Sequence, residues 1–172
     1  VVIMWFGTAY SKKTFQILFL ILGLWSIYEM WKLRKGKPKL VALLIVIIPF
    51  FTIQFFEMTD SNYPDLPFNP SVILLMFILT WTFDSFAYLV GKKLGKTKIL
   101  PTISPKKSWE GFFGGYLFCI LAGSLSYFVF EDYFNHISTL SYILITIILP
   151  FTATTGDFIE SYYKRKAGVK DS

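Results

Sequence analysis

Two carboxylates stand where carboxylates are expensive. Asp84 lies within the apolar run 71–90, and Asp157 follows Thr154, Thr155 and Gly156 at the close of another. An acid within a membrane span is costly and by default a functional group. If the helix runs on past Asp157, Glu160 and Ser161 share its face at i+3 and i+4, and Lys164 follows one turn later. Between the two acids comes Ser104-Pro105-Lys106-Lys107-Ser108, with two hydroxyls and two ammonium groups in a proline-fixed loop just ahead of a helix. That arrangement suits phosphate. The chain holds one His (His136) and one Cys (Cys119), so no Zn site of Cys/His type and no internal disulfide is available. A metal ion would therefore sit on oxygen ligands, and Mg²⁺ commonly uses one or two carboxylates together with substrate phosphates. Plainer readings compete with each of these. Asp84 could be a structural acid paired with a lysine, and the 157–164 column a set of helix-end charge pairs. The lysines of 104–108 could anchor lipid headgroups.

The elements that must hold these groups are apolar and long. Of the 172 residues, 54% are hydrophobic and 16% charged, and mean hydropathy is +0.54. Soluble domains carry about 25% charge. The apolar runs reach the roughly 20 residues that a membrane helix requires. The pattern predicts an all-α, polytopic transmembrane bundle with full spans over 14–31, 40–56, 71–90, 109–130 and 140–156. A partial span over 1–7 precedes them. Residues 1–70 then form an N-terminal set of helices, and 71–172 carry the chemistry. Fifteen of the 17 Lys and Arg residues fall in 32–39, 91–108 and the tail from 164. The positive-inside rule places that face in the cytoplasm. Asp84, Lys106, Lys107, Asp157 and Glu160 all fall at or just below it.

Some tempting signals are weak. Gly91-Lys-Lys-Leu-Gly95 has three residues between its glycines, not the four of a P-loop, and it follows a membrane span. Gly111 and Gly115 form a small-xxx-small pair, which predicts a close approach to the Asp84 span. Inverted-repeat transporters show matching broken helices; no second copy of the Asp84 span exists here.

Two stretches are more specific. One contains Asp84, Ser85, Phe86, Ala87, Tyr88, Gly91, Gly95, then Ile103 through Gly111, and Gly114-Gly115. The other runs from Gly156 to Ser172 and contains Ser161, Lys164, Arg165, Lys170 and Asp171 in the pattern Ser-x-x-Lys-Arg-x-x-x-x-Lys-Asp. Together they resemble the phosphatidate cytidylyltransferases over about residues 71–172; the N-terminal spans match only in character.

The resemblance implies a reaction between CTP and phosphatidic acid, assisted by Mg²⁺, in the bacterial cytoplasmic membrane with the site facing the cytoplasm. It implies Asp84, Lys107 and Asp157 as catalytic, with Asp84 and Asp157 also on the metal. Ser104, Lys106, Ser108, Glu110, Glu160, Ser161, Lys164, Arg165, Lys170 and Asp171 are expected to bind substrate. Membrane lipid is an expected partner and nucleic acid is not; a homodimer is among the assemblies allowed. The family pattern continues beyond Ser172 with further metal-binding acids, and its members are usually longer. The reading therefore expects both ends to be cut, and the stretch as given could lack activity on its own. Two other readings stay open: a related CTP-dependent enzyme acting on an ether-lipid or polyprenol acceptor, and an ion-coupled transporter using the two acids as cation sites.

Overall fold

The computed structural model describes residues 2–33, 44, 47–53, 69–134 and 137–166. Most of these are helical, in two units divided at Leu74/Leu75. In the first unit, α1 (Val2–Ala9) is followed after two residues by α2 (Lys12–Leu33). The start of α2 is capped reciprocally. The Thr14 N–H donates to Ser11 Oγ at 3.2 Å, and the Ser11 N–H donates to Thr14 Oγ1 at 3.0 Å. Gly7 lies so close to Leu18 that a Cβ there would sit 2.7 Å from the leucine side chain, which brings α1 against α2.

The second unit carries most of α3 (Ser71–Leu94), then strands β1 (Lys98–Leu100) and β2 (Ser104–Ser108). Helices α4 (Trp109–Val129), α5 (Glu131–Phe134) and α6 (Thr139–Lys166) complete it. The expected close approach of α3 and α4 is present. A Cβ on Gly111 would sit 2.7 Å from the Ala87 carbonyl and 3.0 Å from Gly91 Cα; one on Gly115 would sit 2.7 Å from the Phe83 carbonyl. Phe83, Ala87 and Gly91 are spaced i, i+4, i+8 and so share one face of α3. Phe112 of α4 joins the three long helices, with ring centroids 5.7 Å from Phe83 and 5.2 Å from Phe151.

Helix α4 is built inside out. Its buried side is Gly111, Phe112, Gly115, Cys119, Gly123 and Ser126. Its exposed side is Phe113, Leu117, Leu121, Leu125 and Phe128, the last 76% accessible. A water-facing helix would be polar there; a lipid-facing one needs small residues inside and large apolar ones outside. Among the described residues, α3, α4 and α6 are long and apolar enough to cross a membrane. The chain is an integral membrane protein. Helix α2 covers the expected span 14–31; the side chains of its residues 30–33 lie outside the described residues, and over those described it is not one of the three. The expected span 40–56 lies largely outside the described residues, although 47–53 are helical.

The expectation of an all-α fold needs one correction. The proline-fixed loop expected over 104–108 is instead the second strand of an antiparallel hairpin over 98–108, with Lys98 opposite Ser108 and Leu100 opposite Ser104. Its strands are too short for alternation to be read, and β2 holds Pro105 and two lysines, which disfavour strand. In a two-stranded ribbon every strand is an edge, where proline is tolerated.

Pro150 lies within α6, which runs unbroken to Lys166. Proline cannot donate to the carbonyl four residues earlier. That carbonyl belongs to Thr146, and Cys119 Sγ approaches it at 3.9 Å from α4. In a bilayer core a freed backbone group has no water to turn to, so a neighbouring helix must supply the partner.

Candidate active site

Helix α3 leaves its apolar stretch through Lys92 and Lys93 and ends at Leu94. The Gly95 N–H bonds the Gly91 carbonyl at 3.1 Å, and the chain turns into β1. Only glycine fits at 95, since a Cβ would lie 2.2 Å from the Gly91 oxygen and 2.4 Å from Ser108 Oγ. Ser108 closes β2 and caps α4: its extended backbone lets Oγ accept from the Gly111 N–H at 3.3 Å. Such a cap is worth about 1 kcal/mol. The hairpin is thus pinned between the end of α3 and the start of α4.

From this hairpin Lys107 reaches α6. Its Nζ donates to Asp157 Oδ2, and it sits over the Phe158 ring at 5.0 Å from the centroid. Asp84 on α3 lies within electrostatic range of both Asp157 and Lys107. The three residues expected to be catalytic, 73 positions apart at the extremes by the numbering of Asp84 and Asp157, therefore converge from three elements. The arrangement is one ammonium and two carboxylates at the end of an apolar bundle. The Lys107 side chain is 29% exposed and that of Asp157 50% exposed, so both are reachable by a ligand.

The remaining expected residues divide by what already holds them. Lys106 is exposed on β2, and Ser104 opens that strand. Ser108 is buried and committed to its cap. The Glu110 carboxylate accepts from the backbone: the Lys96 N–H at 3.2 Å, and the Thr97 N–H at 3.0 and 3.2 Å. Glu160 pairs with Lys164 at 2.6 Å on successive turns of α6. Arg165 Nε donates to the Ile103 carbonyl at 3.4 Å, tying the end of α6 to the hairpin turn. Ser161 is partly exposed on α6. Lys170 and Asp171 lie outside the described residues.

Among the described residues, no group of three or more His, Cys, Asp or Glu side chains gathers as a metal cage. Asp84 and Asp157 fit the lesser demand of Mg²⁺, which takes one or two carboxylates and completes its shell with water and phosphate. Sequence reasoning passed over Phe158 and the Ile103 carbonyl. Phe158 reads as one more aromatic in an aromatic-rich chain, and a carbonyl leaves no mark in residue type.

The whole chain, residues 1–172, matches the family model described as the cytidylyltransferase family. It is 33% identical over 178 residues to a phosphatidate cytidylyltransferase of Rickettsia felis, covering 100% of this chain and 73% of that protein. It is 45% identical over 168 residues to a phosphatidate cytidylyltransferase of Staphylococcus aureus, covering 98% of this chain and 60% of the relative. A relative of the same name from Staphylococcus saprophyticus is 37% identical, with the same two coverages. No solved structure matches.

Proposed function

This chain belongs to the cytidylyltransferase family, and from that premise we propose that it transfers the cytidylyl group of CTP to phosphatidic acid. The products are CDP-diacylglycerol and pyrophosphate. The observation that carries the proposal is the meeting of Lys107 with Asp157, beside Asp84, where lipid-crossing helices end in a basic hairpin.

The chemistry asks little of a base. A phosphatidate oxygen, already anionic, attacks the α-phosphorus of CTP. The bond from that phosphorus to the bridging oxygen breaks, and its electron pair leaves on pyrophosphate. The barrier lies in bringing two polyanions together. Lys107 answers it by donating to phosphate oxygens where negative charge builds up, and the partly exposed Lys106 adds positive potential nearby. Asp157 holds Lys107 in place until substrate arrives. Mg²⁺, when bound, supplies further neutralisation of phosphate charge, and Asp84 and Asp157 are the residues that would hold it. One substrate is a lipid and the other is dissolved in water, so the site belongs at the interface. The concentration of Lys and Arg on one set of loops supports placing it at the cytoplasmic face of a bacterial cytoplasmic membrane.

The test is an incorporation assay on the purified full-length protein in mixed micelles. With phosphatidic acid present, CTP labelled on its α-phosphorus should pass label to the organic phase. CTP labelled on its outer phosphates should release it as pyrophosphate. Label transfer only with an ether-lipid or polyprenyl phosphate would move the assignment to that acceptor. No transfer to any lipid phosphate would sink the enzyme reading.

A further inference from the structure

We propose that Glu110 is a positioning residue that locks the register of the β1–β2 hairpin, so that Lys107 rather than Lys106 meets Asp157. The consequence for turnover rests on the role given to Lys107 above; the register itself does not.

The hairpin is poor at fixing its own register. β1 has three residues and β2 five. The ladder is irregular: from Lys98 to Leu100 one strand advances two residues while its partner runs from Ser108 to Ser104. A two-stranded ribbon is marginal alone, and this one buries little: Leu100 is 39% exposed, and Lys98, Pro105 and Lys106 are exposed as well, so burial specifies its register only weakly. Successive side chains alternate between faces. A slip of one residue would therefore turn Lys107 away and present Lys106.

The register is held from outside the ladder, at its base. The Glu110 carboxylate, in the first turn of α4, accepts from the N–H groups of Lys96 and Thr97, immediately before β1. The Thr97 carbonyl in turn accepts from the Trp109 N–H at 2.9 Å, immediately after β2. Thr97 is thus gripped on both sides, next to the Lys98–Ser108 pair. On the other strand Ser108 is buried, and its hydroxyl lies in the narrow space over Gly95. A slipped β2 would have to put a lysine or tryptophan side chain there. Glu110 fixes where β1 starts, Ser108 fixes where β2 ends, and together they select which lysine faces α6.

A direct contact between Glu110 and substrate predicts something different, because it leaves the hairpin unmoved when Glu110 is changed. The experiment uses the full-length protein in membranes with Cys119→Ala. Two cysteine pairs are compared, Lys107→Cys with Asp157→Cys and Lys106→Cys with Asp157→Cys, each treated with a short bis-maleimide. With Glu110 intact, the 107–157 pair should cross-link in preference. Glu110→Gln keeps the length of the side chain but turns an amide NH₂ toward backbone donors. It should shift the ratio toward the 106–157 pair by about threefold or more. If Glu110→Gln does not accumulate, Glu110→Asp, which shortens the arm, carries the same expectation. An unchanged ratio overturns the proposal, even if cytidylyl transfer falls. Full turnover by Lys107→Ala beside intact Glu110 would instead remove the role given to Lys107 and leave the register result standing.

Discussion

The two ends of the α3–α4–α6 bundle are held together differently. At the far end the contacts are neutral. Tyr142 Oη donates to the Gly123 carbonyl at 3.0 Å. Thr146 packs on Gly123, where a Cβ would lie 2.7 Å from its methyl group, and Cys119 meets the carbonyl that Pro150 frees. Glu131 and Asp132 are exposed beyond that end. At the near end the glycines recur and the Trp109 N–H bonds the Thr97 carbonyl, but three further contacts carry charge: Lys107 to Asp157, Glu110 to the backbone of 96 and 97, and Arg165 to Ile103. Hydroxyl-to-carbonyl bonds satisfy the backbone and nothing more. Ammonium and carboxylate groups held together at a membrane surface can be redirected to a ligand. On the proposed reading, the difference separates groups that only hold the bundle from groups that can answer to a ligand.

Substitutions at the two ends should therefore act differently. The largest effect is expected from Asp157→Asn in the full-length protein. It keeps the shape, removes the charge that holds Lys107 and weakens a Mg²⁺ site. Incorporation of labelled CTP into lipid should fall at least about a hundredfold, equivalent to roughly 2.7 kcal/mol, with the protein still folded in detergent. Asp84→Asn should behave alike. Near wild-type turnover by Asp157→Asn at an unchanged Mg²⁺ requirement would remove the metal-site assignment.

Lys107→Ala should come next. Loss of a donor aimed at developing phosphate charge costs about 2–4 kcal/mol in kcat. Lys92, on the same basic face but lying over Tyr88 at 5.9 Å, serves as the control. Equal, mild losses from Lys107→Ala and Lys92→Ala would make both of them lipid anchors.

Tyr142→Phe should act the other way round. It deletes one interhelical hydrogen bond and should lower resistance to denaturation in detergent by about 0.5–1.5 kcal/mol. Its kcat and KM for CTP should stay as in the wild type. A changed KM would mean that the far end reports on the site. The smallest effect is expected from Glu131→Gln, exposed at that far end, which should alter neither unfolding nor transfer.

Much of this was legible from residue order. Asp84 and Asp157 stand out because charge is costly in an apolar run, and Gly111 with Gly115 announces a close helix crossing. The pairing of Glu160 with Lys164 follows from helical spacing alone. Three helices fit to cross a membrane were plain in hydropathy. The hairpin was not legible. Its three-residue and five-residue strands are shorter than a readable period, and one contains a proline.

By itself the amino-acid order determined which groups carry charge, which runs belong in lipid and which helix faces are small enough to touch. Each of these is a property of residue type repeated at a local period, so it survives without coordinates. That Lys107, not its neighbour Lys106, reaches Asp157, and that the Glu110 carboxylate is taken up by the backbone of Lys96 and Thr97, follows from how the separate elements pack. By residue type and spacing two adjacent lysines are equivalent, and only the family resemblance set Lys107 apart beforehand. They become different only when a strand with period two is set in one register, and that register depends on backbone groups brought together from separate elements.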